Sequence, residues 1–206
     1  MNLPNKITVS RIFLVPVFML FILPFPDWLL TSDLFKFINP QLTAIHNFMQ
    51  NYGHILGAVF FLLAASTDGI DGYIARKHKM VTKFGIFLDP IADKLIIAAA
   101  LIGLVQRNYV TGWAAMVIIG REFIVTGLRL LAAGEGIVIS AGIWGKIKMV
   151  TQVVGVALML LDNWPFSLFT SFRVDKFAMW IAIFATIYSM FDYLKKNIKL
   201  IDLKKS

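Results

Sequence analysis

Long apolar stretches separated by short polar segments recur along the chain. Six of them predict membrane-spanning helices, at residues 12–25, 52–75, 84–105, 111–132, 143–161 and 177–193. A short amphipathic helix over residues 3–11 is expected before the first span. The pattern therefore predicts an all-α integral membrane bundle of six transmembrane helices, forming a single domain over residues 1–206.

The composition agrees with a membrane protein. Of the 206 residues, 58% are apolar and 16% are charged, and the mean hydropathy is +0.75. Soluble domains carry about 25% charged residues, and a soluble domain of this length could not bury so much apolar surface. An ordinary cytosolic globule is excluded on this ground. The lack of cysteine excludes a disulfide scaffold, a zinc–thiolate site and an iron–sulfur cluster.

The basic residues predict the orientation in the membrane. With both termini in the cytosol, thirteen Lys and Arg fall on the inner side and four on the outer side, as the positive-inside rule requires. We expect a multi-pass protein of the cell membrane with both termini in the cytosol. In so apolar a chain, the net charge of +8 favours contact with anionic lipid, so no nucleic acid is expected as a partner.

Four aspartates lie within the second and third predicted spans. Asp68 and Asp71 are three residues apart and Asp89 and Asp93 are four apart, so each pair shares one face of its helix. Both pairs lie at similar distances from the turn near residue 80, which brings them to one depth. Aspartate in a membrane costs about 2.5–3.5 kcal/mol, and divalent cations offset this well. The cluster predicts an Mg²⁺ or Mn²⁺ site that holds two ions.

Other interpretations of the acidic cluster stay open at this point. In a structural interpretation, the aspartates pair with Lys94, Arg76 and Arg121 and only fix helix packing. In another, the cluster is the cation path of a transporter or channel. A scaffold without activity is a third possibility. The match in depth of four carboxylates favours a functional site, because ionisable residues inside a membrane are costly to retain.

The acidic residues form part of a longer motif. The chain reads DGIDGYIAR from Asp68, then eight residues, then GIFLDPIAD up to Asp93. This resembles D-x-x-D-G-x-x-A-R-x8-G-x3-D-x3-D, the signature of the CDP-alcohol phosphotransferase family, and residues 68–93 match all of its specified positions. The N-terminal LPNKITVSR is similar to the P-N-x-x-T-x-x-R opening of family members.

The resemblance implies an enzyme that transfers the phosphatidyl group of CDP-diacylglycerol to a small alcohol and releases CMP. Asp68, Asp71 and Asp89 would be metal ligands, and Asp93 both a ligand and the general base. A further set of residues would line the CDP-diacylglycerol site: Asn5, Thr8, Arg11, Gly72, Arg76, Thr82 and Gly85. The resemblance also implies a homodimer.

The acceptor is predicted from the fourth span. Residues 118–129 read IIGREFIVTGLR, which is similar to the branch of the family that uses glycerol 3-phosphate and makes phosphatidylglycerophosphate. We expect Arg121, Arg129 and Lys146 to bind the acceptor phosphate, since Arg121 and Arg129 share a helical face. Lys148 is expected to extend to the membrane interface instead. Inositol phosphate, serine and phosphatidylglycerol remain alternative acceptors.

Overall fold

The structure is a computed structural model with two compact units, Met1–Tyr109 and Val110–Ser206. The backbone is described for residues 3–23, 39–77, 83–134, 139 and 142–202, and side chains for residues 9–23, 40–66, 91–92, 94–134, 139 and 142–197. Within these ranges the fold is all-α, as predicted. The helices are α1 (Leu3–Ile22), α2 (Asn39–Lys77), α3 (Lys83–Gln106), α4 (Gly112–Gly134), α5 (Ile143–Leu160) and α6 (Val174–Asp202), with a 3₁₀ turn at Phe166–Leu168.

In the first unit, α1 packs against both α2 and α3, which also contact each other. Its core contains fully buried side chains from all three helices: Phe18, Ile22, Phe61, Leu101 and Leu104. Two glycines let the end of α1 approach its neighbours closely. A Cβ atom added at Gly53 would fall on the Phe21 carbonyl oxygen, and one added at Gly103 on the Ile22 side chain. Small residues at such crossings are typical of membrane helix packing.

Arg107 follows α3 directly and connects it to α1 and α2 through hydrogen bonds. Its Nε donates to the carbonyl oxygen of Ile22, 2.7 Å away, and its Nη2 donates to that of Met49, 3.1 Å away. The last carbonyls of a helix have no partner within the helix, so Arg107 satisfies one at the end of α1. Burial lowers the pKa of Arg107 because it disfavours the charged form, yet an arginine remains charged near neutral pH.

Replacing Arg107 should destabilise the first unit. Arg107→Ala would leave the Ile22 carbonyl without its donor, which costs about 1–3 kcal/mol and lowers the thermal unfolding midpoint by about 2–4 °C per kcal/mol. Unfolding followed by circular dichroism in detergent measures this. Lys176→Ala, which removes an exposed cation, is the matched control and should leave the midpoint unchanged. Equal midpoints for the two variants would contradict the role given to Arg107.

In the second unit, α6 packs against both α5 and α4. At Gly155 of α5, an added Cβ would lie 3.4 Å from the Ala178 carbonyl oxygen and from the Cα of Met179, so the two helices are in close contact there. The apolar interior is formed from all three helices: Ile118, Val125, Val156, Leu160 and Ala182. This interior also contains buried polar side chains, including those of Arg121, Lys148, Gln152 and Ser189.

A polar cluster closes the turn between α5 and α6. Arg173 donates to both carboxylate oxygens of the fully buried Asp175, at 3.0 and 2.6 Å, and to Asp162 at 2.9 Å. Asn163 Oδ1 accepts from the backbone N–H of Asp175. The hydrogen bond to Asp175 raises the pKa of Arg173 above its ordinary value. Because a raised pKa stabilises the fold at all pH values below the unfolded pKa, this cation adds no pH dependence near neutrality.

The apolar character of the helices agrees with a membrane protein. Among the described residues, three helical segments are long and apolar enough to cross a bilayer: Pro40–Ser66, Ile143–Leu160 and Val174–Asn197. Two shorter apolar helical segments, Val9–Ile22 and Lys94–Gln106, accompany them. Helix α4 carries Arg121, Glu122 and Arg129 within its 23 residues, which lowers its hydropathy. Six helices are therefore present in the described ranges, and three of them qualify as spans.

Several helix ends differ from the prediction. The expected separate helix over residues 3–11 is the first part of a continuous α1. Helix α2 begins at Asn39, well before residue 52. Pro40 is compatible with this start, because proline is well tolerated in the first turn of a helix. The less exposed face of the segment has helical spacing and consists of Leu42, His46, Met49 and Gly53. Polar residues lie between these positions, so the apolar pattern alone placed the start of the helix at residue 52.

Candidate active site

The acidic motif lies on two neighbouring helices of the first unit. Asp68 and Asp71 are within α2, Asp89 and Asp93 are within α3, and these helices contact each other. Since the backbone is helical at all four positions, the spacings of three and four residues do place each pair on one helical face. The side chains of the four aspartates lie outside the described residues.

Most of the predicted nucleotide site also lies outside the described side chains. This applies to six residues: Asn5, Thr8, Gly72, Arg76, Thr82 and Gly85. Arg11 is described, and only 3% of its surface is exposed, so this cation faces the interior of the first unit. Over the described side chains, no three His, Asp or Glu residues come together in a way that could hold a metal ion. The roles of all these residues remain predictions.

The second unit contains a buried charged cluster, formed by Arg121, Glu122, Lys148 and Ser189. Arg121 Nη1 donates to Glu122 Oε1 at 3.2 Å, and Arg121 Nη2 donates to Ser189 Oγ at 2.7 Å. Lys148 Nζ donates to the same Glu122 oxygen. The exposed fractions are 7% for Arg121, 5% for Lys148 and 2% for Ser189. The cluster therefore connects α4, α5 and α6 through charge-assisted hydrogen bonds.

Arg129 lies two turns further along α4, on the same side as Arg121. Its guanidinium carbon is 5.6 Å from the ring centroid of Tyr193 on α6, which is within the range of a cation–π contact. In the part of the chain with described side chains, four buried polar groups of this unit have no hydrogen-bond partner: Arg121 Nε, Arg129 Nε, Gln152 Nε2 and the Tyr193 hydroxyl. All four can donate a hydrogen bond, and the two arginine Nε–H groups also carry the positive charge that attracts an anionic ligand.

The two lysines at the start of α5 occupy opposite faces. Lys146 is exposed, and its assignment to the acceptor phosphate stays a prediction. The expectation that Lys148 extends to the interface is wrong, because the side chain is buried and pairs with Glu122. A buried ammonium is tolerated when a carboxylate offsets its loss of hydration.

A model of the CDP-alcohol phosphatidyltransferase family matches residues 1–188. This range includes the acidic hairpin and the start of α6, and it covers most of the chain. The chain belongs to the CDP-alcohol phosphatidyltransferase family. The predicted family is thereby confirmed, and membership favours an enzyme over the ion-transport and scaffold interpretations.

Similar proteins from several bacteria match almost the whole chain. A protein of Bacillus subtilis (strain 168) is 45% identical over 196 residues, which cover 95% of each sequence. Relatives in Rickettsia bellii (strain RML369-C) and Pseudomonas fluorescens are 34% and 36% identical. They cover 94% and 95% of this chain, and 94% and 89% of their own lengths. All three are named CDP-diacylglycerol–glycerol-3-phosphate 3-phosphatidyltransferase.

In this member of the CDP-alcohol phosphatidyltransferase family, three residues are buried that the sequence did not identify as interior residues: Lys148, Gln152 and Ser189. A signal for two of them was present. Lys148, Gln152, Gly155, Val156 and Met159 recur at helical spacing and form the buried face of α5. Gly155 is a packing position, and Lys148 lies seven residues before it on the same face of the helix. That spacing places Lys148 on the inner face of α5 and Lys146 on the outer one. Ser189 offered no comparable signal.

Proposed function

We propose that this protein transfers the phosphatidyl group of CDP-diacylglycerol to glycerol 3-phosphate, forming phosphatidylglycerophosphate and CMP in phospholipid biosynthesis. The observation that carries the proposal is the full-length similarity to relatives named for this reaction, at up to 45% identity. The DGIDGYIAR and GIFLDPIAD segments, to which the acidic site is assigned, lie within α2 and α3. The protein acts at a membrane, consistent with its three apolar helical segments.

The acidic hairpin is assigned to the metal ions and the diphosphate. Asp68, Asp71, Asp89 and Asp93 would hold two Mg²⁺ or Mn²⁺ ions, for which an all-carboxylate donor set is well suited. When bound, the ions would supply positive charge that offsets the charge of the diphosphate and of the leaving CMP phosphate. Around them, the protein would bind CDP-diacylglycerol through Asn5, Thr8, Arg11, Gly72, Arg76, Thr82 and Gly85. Glycines allow the close approach of a ligand, and arginines present paired donors to phosphate.

The transfer itself exchanges one phosphorus–oxygen bond for another. The acceptor hydroxyl oxygen forms a bond to the phosphorus that carries diacylglycerol, and the bond from that phosphorus to the oxygen bridging to CMP breaks. The hydroxyl proton passes to the Asp93 carboxylate as general base. CMP leaves with the electron pair of the broken bond.

The charged cluster of the second unit is assigned to the acceptor phosphate. Arg121 and Arg129 each have a buried Nε–H with no partner among the described side chains, and a phosphate oxygen would satisfy such donors. Lys148 supplies a further buried cation, which shares the Glu122 Oε1 atom with Arg121, while Lys146 lies on the exposed face of α5. The proposal includes a multi-pass arrangement in the cell membrane, cytosolic termini, an active site toward the cytosol and a homodimer.

Acceptor dependence tests the proposed reaction. We expect CMP release from CDP-diacylglycerol by the purified protein, with Mg²⁺ present, when glycerol 3-phosphate is added. Inositol phosphate, serine and phosphatidylglycerol should not support it. Glycerol is the matched control because it lacks only the phosphate. With glycerol as the acceptor, kcat/KM should be lower by about 100-fold or more than with glycerol 3-phosphate. No stimulation by glycerol 3-phosphate would overturn the proposal.

A further inference from the structure

Glu122 is an unusual residue for a phosphate site, because its carboxylate would repel the ligand. It lies in the interior of the second unit, where 17% of its side chain is exposed. Its Oε1 accepts hydrogen bonds from Arg121 Nη1 and from Lys148 Nζ. A single carboxylate oxygen therefore contacts two cations from two different helices.

Arg121 is fixed from two sides. Adjacent residues on a helix do not face each other, so the Arg121 side chain must turn toward Glu122 to make its 3.2 Å bond. From the other side, its Nη2 donates to Ser189 Oγ on α6 at 2.7 Å. Two of the three guanidinium nitrogens are thus held by α4 and α6. The third, Nε, is buried and has no partner among the described residues, so its hydrogen bond is the one that a ligand would satisfy.

The balance of charge around this site explains why a carboxylate is useful there. Arg121 and Lys148 are both cations within reach of one Glu122 oxygen, and without an anion between them they would repel each other in a medium of low dielectric. Glu122 lowers the summed charge of the three groups from +2 to +1. It thereby weakens the attraction for phosphate, while it keeps both cations in place.

We propose that Glu122 is a positioning residue of the acceptor-phosphate site. Its carboxylate holds Arg121 and Lys148 in the orientation that receives the phosphate, and Ser189 is the second support of Arg121. The inference rests on the proposed function, since it requires the acceptor phosphate to bind at this cluster. Glu122 itself does not touch the ligand. Preorganised groups bind more tightly because they need not be ordered when the ligand arrives.

The direction in which the KM for glycerol 3-phosphate changes separates a positioning role from a role in adjusting charge and from a role in folding. Glu122→Gln removes the negative charge and keeps the size of the side chain. If Glu122 only adjusted the charge of the site, the variant would bind glycerol 3-phosphate more tightly and its KM would fall. If Glu122 acted only in folding, the unfolding midpoint would fall and the KM values of both substrates would remain unchanged. A positioning role instead raises the KM for glycerol 3-phosphate alone.

The experiment measures kcat and both KM values by CMP release for the full-length protein in detergent. For Glu122→Gln we expect the KM for glycerol 3-phosphate to rise about tenfold, with the KM for CDP-diacylglycerol within twofold of wild type. Ser189→Ala should change the same constant in the same direction, and Ser189→Thr, which keeps the hydroxyl, should restore it. Asp192→Asn is the control, since Asp192 pairs with the exposed Lys196 in the same unit and no change is expected.

The outcomes are distinguishable. An unchanged or lowered KM for glycerol 3-phosphate in Glu122→Gln, or an equal rise in both KM values, would overturn the inference. If Glu122→Gln does not fold, Glu122→Asp takes its place. It keeps the charge but is too short to reach both cations, so the same selective rise in KM is expected and its absence would count equally against the inference. Wild-type protein that releases no CMP with glycerol 3-phosphate would instead reject the proposed function.

Discussion

Asp93→Asn is expected to lower the rate of CMP release by about 10³-fold or more. The substitution removes the proposed general base, which is typically worth about 10²–10⁴-fold. It also removes one carboxylate ligand from the proposed metal centre, where charge neutralisation contributes several kcal/mol more. Asparagine has nearly the same size, so the packing of α3 should be preserved. The measurement is kcat with saturating CDP-diacylglycerol and glycerol 3-phosphate, over a range of Mg²⁺ concentrations.

Two comparisons make this test specific. Asp162→Asn makes the same chemical change at an exposed residue that pairs with Arg173, and it should retain wild-type activity. Wild-type protein treated with a chelator should lose activity, and added Mg²⁺ or Mn²⁺ should restore it.

The same loss of rate as in Asp93→Asn is expected for the other three aspartates of the motif, in Asp68→Asn, Asp71→Asn and Asp89→Asn. A rate near that of wild type in any of them would remove that residue from the proposed centre.

Arg129→Ala is expected to raise the KM for glycerol 3-phosphate by about 10–100-fold, the loss that follows when hydrogen bonds to a charged group are removed. The KM for CDP-diacylglycerol should stay near its wild-type value, because the nucleotide site is assigned to other residues. Initial rates of CMP release at varied acceptor concentration measure both constants. An unchanged KM for the acceptor would exclude Arg129 from phosphate binding.

Two variants separate the charge of Arg129 from its packing. Arg129→Lys keeps the charge but lacks the planar fork of donors, so an intermediate KM is expected. Tyr193→Phe keeps the ring that lies 5.6 Å from the guanidinium carbon and removes only the hydroxyl. Since the cation–π contact depends on the ring, this variant should remain within a fewfold of wild type.

Local patterns predicted the helices, although the ends of several helices differ from the predicted ones. The interiors of all six predicted spans are helical in the structure, because an apolar segment in a bilayer must satisfy its own backbone hydrogen bonds. The extension of α2 back to Asn39 was not predicted. Its Asn and Pro residues are typical of loops, and its hydrogen bond from Arg107 to the Met49 carbonyl oxygen is a tertiary contact that no local pattern specifies.

Where the candidate site depends on spacing along one or two helices, its residues could be proposed from the sequence, and their roles stay predictions. The positions of Asp68, Asp71, Asp89 and Asp93 follow from a motif of 26 residues, and the matching family model confirms the family that the motif implies. The acceptor region was harder to predict. Arg121 was identified from its neighbours in the sequence, whereas its contact with Ser189, 68 residues away, depends on how α4 and α6 pack.

The sequence by itself therefore determined the membrane class, the helical periodicity, the acidic motif and the family, since each depends on residues that are close together along the chain. Only the tertiary structure decided which lysine of α5 enters the interior, that Glu122 joins it to Arg121, and that Arg107 closes the end of α1. The physical reason is that a buried charge is stable only beside a partner, and these partners come from different helices whose packing no local pattern specifies.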